Sequence, residues 1–119
     1  MPEIPPERRR NPRLSVSAPI NFRRLLSPQE SFSGSLGRDL SVGGARVTAP
    51  HFLPQGTRLV VLLSLPGVSH PIRTIARVAW VARRRAMEAY DCGVRFIEVT
   101  SEDRRTLADY VERGMFIRG

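Results

Sequence analysis

Short runs of alternating apolar and polar residues, cut by clusters of proline, glycine and serine, restrict this chain to a β-rich fold. Leu14, Val16, Ala18, Ile20 and Phe22 alternate with Ser15, Ser17, Asn21 and Arg23, which predicts a half-buried strand. Pro19 within it implies an edge position or a bulge. Residues 24–30, with Ser27-Pro28, make a turn, and a second strand carries Phe32 and Leu36 on one face. A turn from Asp39 to Gly44 leads into a third strand, Ala45 to Ala49, so the acidic residue stands at a hairpin mouth. After Pro50, Pro54 and Gly56, the run Leu59-Val60-Val61-Leu62-Leu63 suits a strand buried on both faces, ended by Pro66-Gly67. Alternation resumes over residues 72–82 around Ile72, Val78 and Trp80, with Trp80 expected in the core. A polar loop from Arg83 to Glu88 then precedes a strand from Tyr90 to Val99. Six strands in hairpin order make a small barrel. A helix follows, capped by Thr100 or Ser101, with Glu102 and Asp103 in its first turn, an apolar stripe of Leu107, Tyr110 and Val111, and Gly114 placed to end it.

Residues 1–13 contrast with this pattern. Pro2, Pro5, Pro6 and Pro12 among Arg8, Arg9, Arg10 and Arg13 predict a flexible arm, and residues 14–119 the barrel with its helix. The length of 119 residues sets one domain whose core needs no disulfide or metal. All nineteen basic residues are arginine, and the net charge of +8 predicts attraction to anionic ligands. Cys92 stands alone, as a small core residue in a reducing compartment. With no apolar leader and no apolar run longer than Leu59 to Leu65, neither secretion nor membrane insertion is expected, and the protein is read as cytoplasmic.

The chemistry concentrates in two segments. Arg9 and Arg13, four residues apart, offer planar forks that grip phosphate, match a guanine edge and stack on a base. In Asp39-Leu40-Ser41-Val42-Gly43-Gly44 the aspartate accepts guanine N1 and N2 protons and Ser41 donates or accepts. Gly43 and Gly44 let backbone approach a ligand or turn with positive φ. A guanine nucleotide with more than one phosphate would use both segments. Arg8 adds another cation that bears on whether one or two ligand molecules bind, and Arg10 and Arg46 are outlying candidates.

At Arg9, Arg13, Asp39, Ser41 and Gly44 the sequence resembles the PilZ family, whose signature is R-x-x-x-R followed by [D/N]-x-S-x-x-G. Gly93-Val94-Arg95-Phe96 and the short helix after Thr100 are similar to the family's ending. The resemblance implies a six-stranded antiparallel split β-barrel with a C-terminal α-helix. It also implies a bacterial receptor for cyclic di-GMP that changes conformation and signals to a downstream effector protein. The output, whether motility, pili or exopolysaccharide, is not encoded in these residues.

Duller readings stand beside these. Arg8 to Arg13 taken alone are a solvated basic tail, and Asp39 to Gly44 alone a plain turn. Arg83-Arg84-Arg85 reads as an exposed hairpin loop and is the best candidate for meeting an acidic partner. His51 and His70 lack ligand-spaced partners, so no metal is expected. No nucleophile lies beside a base, and no phosphate-binding glycine loop of the usual kinds occurs, so neither catalysis nor a cofactor is expected. Two alternatives remain at this level: a basic barrel binding nucleic-acid phosphates non-specifically, and an adaptor working through protein contacts alone. The first of these would need exposed aromatics for base stacking, and Phe22, Phe32, Phe52, Trp80, Tyr90, Phe96, Tyr110 and Phe116 read mostly as inward-facing or loop residues, which argues against it; specific nucleic-acid binding is not expected.

Overall fold

The structure, a computed structural model, describes residues 16–118. The arm with Arg8, Arg9, Arg10 and Arg13 lies outside the described residues, as does Leu14. Six strands follow in order: β1 Ala18–Arg24, β2 Ser33–Gly37, β3 Gly44–Ala49, β4 Arg58–Leu63, β5 Ile72–Arg84 and β6 Ala89–Glu98, before helix α1, Ser101–Arg118. They form one antiparallel sheet in the order β2-β1-β4-β5-β6-β3. The two end strands meet across a seam, where Arg38 and Arg46 exchange backbone hydrogen bonds of 2.8 Å and Thr48 N–H donates to Ser35 Oγ at 3.0 Å. The sheet thus curls into a nearly closed barrel.

The expected alternation places the core. Val16, just before β1, and Ala18, Ile20 and Phe22 of β1 point inward, to meet Leu59, Val61 and Leu63 of β4 and Cys92, Val94 and Phe96 of β6. Val60 is also buried, which makes β4 apolar on both faces, as its sequence implies. The β1–β2 turn is closed by Arg24, whose Nε donates to Glu30 at 2.8 Å and holds that carboxyl below the usual carboxylate range.

Five expectations change. The strands do not follow hairpin order, because β1 pairs with β4 and β3 with β6. Pro19 is not in an edge strand, because β1 runs between β2 and β4. It is tolerated as the second residue of β1: its carbonyl accepts from Ser64 N–H at 3.0 Å, so its missing N–H would point past the end of β4 at Leu63. Phe32 and Leu36 are exposed, since the inner face of β2 belongs to Ser33, Ser35 and Gly37 at the narrow seam. Phe32 lies under the Arg23 guanidinium, 5.1 Å from its ring centre. Trp80 is also exposed, because a register shift between Val78 and Trp80 breaks the alternation of β5.

Gly114 does not end the helix, which continues to Arg118. A Cβ there would stand 3.0 Å from Val16 Cγ2, so glycine serves the close packing of α1 on the start of the barrel. Thr100 caps the helix, accepting from Asp103 N–H at 3.1 Å. Leu107 is buried in the core and Tyr110 Oη donates to the Ser17 carbonyl at 3.0 Å. The helix is therefore fastened to residues 16 and 17, where the arm enters the barrel.

Candidate functional site

The segment between β2 and β3 is held at several points. Leu40 is buried and its N–H donates to the Val16 carbonyl at 2.9 Å. Ser41 N–H donates to the Gly44 carbonyl at 2.9 Å, and Ser41 Oγ accepts from Gly43 N–H at 3.2 Å. Gly43 in turn accepts from Phe96 N–H at 2.8 Å, tying the loop to β6. The motif residues thus form one hydrogen-bonded turn.

Positive φ falls on Asp39 (52°) rather than on Gly43 or Gly44. A left-handed aspartate costs on the order of 1 kcal/mol, although short polar side chains tolerate it best. That conformation sets Asp39 Oδ2 3.4 Å from Arg46 Nη2. Arg46 Nε is buried and has no hydrogen-bond partner among the described residues, an unpaired donor at the rim of the turn. The two glycines differ. A Cβ on Gly44 would run into the Val94 carbonyl, so the approach of β3 to β6 demands glycine. A Cβ on Gly43 would make only ordinary contact, 3.9 Å from Ser41 Oγ, and nothing in the fold requires glycine there.

Strand register puts these residues on the outer wall. Arg46 of β3 faces Gly93 of β6, which faces Trp80 of β5. One row along, Gly44 faces Arg95. Gly93 has no room for a side chain because the Trp80 indole lies across it. The result is a hollow of about 350 Å³ edged by Asp39, Gly43, Arg46, Trp80 and Arg95. It offers an acceptor, two guanidinium groups and an indole 45% exposed, which is a surface suited to an anionic aromatic ligand.

Of the sequence candidates, Asp39, Gly43, Gly44 and Arg46 edge this hollow, and Ser41 shapes the turn behind it. Trp80, Gly93 and Arg95 were missed. Arg95 was legible, since inward Val94 requires Gly93 and Arg95 to point outward. Trp80 was not, because its direction depends on the shift in β5.

A model of the PilZ domain matches residues 7–113. The chain belongs to the PilZ family. No curated protein sequence matches the chain closely enough to count as a relative. Among solved structures it is similar to the Bacillus subtilis inhibitor of motility MotI/DgrA, with TM-score 0.72 and 20% identity over 87% of this chain and 49% of that one. The chain thus spans about half the length of that protein. The PilZ domain with c-di-GMP of YcgR from Escherichia coli gives a TM-score of 0.60 and 21% identity over 87% of this chain and 92% of that one. A tetrameric PilZ domain from Xanthomonas campestris gives 0.57 and 17% over 87% and 85%. At such identities these likenesses show the PilZ barrel and nothing finer. PilZ domains are receptor or adaptor domains rather than enzymes. No helix among the described residues is long and apolar enough to cross a membrane.

Proposed function

We propose that this PilZ chain is a cytoplasmic receptor for cyclic di-GMP that passes the signal to a downstream effector protein. The observation that carries the reading is the hydrogen bond from Leu40 N–H to the Val16 carbonyl, which joins the arm's point of entry to the Asp39 turn. Arg13 is three residues from Val16, so its Cα lies within about 10 Å of that junction wherever the arm runs, and Arg9 within about 25 Å. Both arginines can therefore reach the hollow beside Asp39. The YcgR domain solved with c-di-GMP supports the choice of ligand.

In this mechanism Asp39 accepts from a guanine, Gly43, having no side chain, lets the ligand lie close against the turn, and Arg46 supplies charge at the rim. Ser41 and Gly44 keep the turn in shape. Arg9 and Arg13, joined by Arg8 and Arg10, close over the phosphates and a base. Ordering the arm costs roughly 1 to 2 kcal/mol per residue fixed, and charge-assisted hydrogen bonds worth roughly 1.5 to 3 kcal/mol each offset it. Because Val16 also packs against Gly114, drawing the arm across the hollow pulls on the seat of α1. That is how ligand binding reaches a surface an effector can read.

Isothermal titration of cyclic di-GMP into the protein and into Arg9→Ala and Asp39→Ala variants tests this. Saturable heat in the parent and none in either variant is expected, with the stoichiometry reporting one or two ligands per chain. A folded parent that takes up no ligand overturns the reading.

A further inference from the structure

The outer wall continues past the nucleotide hollow. Arg95 of β6 faces Arg77 of β5, which faces Arg58 of β4. All three side chains are exposed, and side chains directly opposite on adjacent strands stand about 5 Å apart at Cβ. Like charges at that spacing destabilise a sheet. Among the described residues the ion pairs are Arg24 with Glu30, Arg46 with Asp39 and Arg84 with Asp91, so none neutralises this row. The fold has no need of three arginines here. A second hollow of about 390 Å³, lined by Gln55, Gly56, Arg77 and Arg95, adjoins the first and shares Ala79 and Arg95 with it.

We propose that the row Arg95, Arg77, Arg58 is a track for the phosphodiester backbone of a single-stranded nucleic acid, with one unstacked base against Trp80. Guanidinium forks in line grip successive phosphate oxygens. The half-exposed indole at the head of the row supplies the stacking face that a single strand uses and a duplex cannot present bases to. An acidic protein segment fits less well: the second hollow is lined by Gln55, Gly56, Val78, Ala79 and arginine, and with Val78 buried in the core it presents no large exposed apolar anchor of the kind protein interfaces bury. The track reads phosphate and not sequence. Arg58 and Arg77 lie outside the nucleotide hollow, whereas Arg95 and Trp80 edge it.

The test is fluorescence anisotropy of a short labelled oligouridine with the full chain and with an Arg58→Gln/Arg77→Gln variant, whose exposed positions leave folding intact by circular dichroism. The parent should bind saturably. The variant should bind roughly tenfold or more weakly, with the salt dependence shallower by about 0.7 for each arginine removed. Cyclic di-GMP titration into the same variant should match the parent, which keeps failure of the track distinct from failure of the receptor reading. No binding by the parent, equal binding by the variant, or equally tight binding of a duplex or of oligoglutamate would each overturn the track.

Discussion

Strand β4 and the outer wall of β3, β6 and β5 belong to one sheet but use their residues in opposite ways. In β4 the consecutive side chains of Leu59, Val60 and Val61 are all buried, and the strand is paired along its length on both sides, by β1 and β5. The outer wall instead carries a left-handed aspartate, an unpaired Arg46 Nε, a half-exposed tryptophan and the facing pair Arg77 and Arg95, whose row touches β4 only at its first residue, Arg58. Each of those features is neutral or unfavourable for folding. Stability and recognition are therefore assigned to different residues of the same strands, with β5 supplying Val78 inward and Arg77 and Trp80 outward.

The largest break in this division should come from the core. Leu63 is completely buried, and Leu63→Ala removes its contacts with the barrel interior. A loss of about 2 to 5 kcal/mol in urea unfolding is expected, with the affinity of the folded fraction for cyclic di-GMP unchanged. A matching loss of affinity without a loss of stability would mean the two regions are not separable.

The next effect is set by pH. Burial, with Asp91 adding to it, pushes the Cys92 thiol up to about 11 from an ordinary value of 9.0. Below pH 9 both folded and unfolded chains keep the proton. Between pH 9 and 11 the unfolded chain releases it and the folded chain does not, so stability falls as pH rises, by roughly 2 kcal/mol across that window. Unfolding midpoints of the parent and of Cys92→Ala should diverge in slope over that range. Parallel slopes would show that the thiol is not sealed in the barrel.

How much of this was legible in the sequence follows the same division. Val16, Ala18, Ile20 and Phe22 announce an inward face because alternation and burial coincide there. Phe32 and Leu36 mislead, since hydrophobicity marks a core face only where there is room for large side chains, and the seam admits Ser33, Ser35 and Gly37 instead. Gly114 looks like a helix stop but answers a contact with Val16, nearly a hundred residues earlier in the sequence. The Asp39 turn could be read from residue types, and the outward direction of Arg95 from the alternation of β6, whereas the placing of Trp80 and Arg95 beside that turn, from strands some forty residues or more away, needed the register of β5 and β6. Local chemistry is written locally; a wall made by three strands is not.

Asp39 allows the strain on that wall to be separated from its function. Asp39→Gly relieves the left-handed backbone and loses the Arg46 ion pair, which is half exposed and worth little. Thermal unfolding should show stability held or raised by up to about 1 kcal/mol while cyclic di-GMP binding disappears. Asp39→Ala should lose binding too, without the gain, because alanine keeps the Cβ. A glycine variant that binds like the parent would remove Asp39 from the site.

The smallest effect has the most telling sign. Arg77 stands between Arg58 and Arg95, so Arg77→Gln removes both repulsive cross-strand pairs and exchanges one exposed polar side chain for another. Glutamine at a position with no ion pair among the described residues should raise stability by roughly 0.2 to 1 kcal/mol at low ionic strength. The gain should shrink as salt screens the row, since the facing charges are closer than a Debye length only in dilute buffer and near physiological strength. A salt-dependent gain would show that the fold tolerates these arginines rather than uses them, which places their reason for being there outside the molecule. A loss that salt leaves unchanged would instead make the Arg77 stem part of the packing on the outer wall, and the contrast with β4 would disappear.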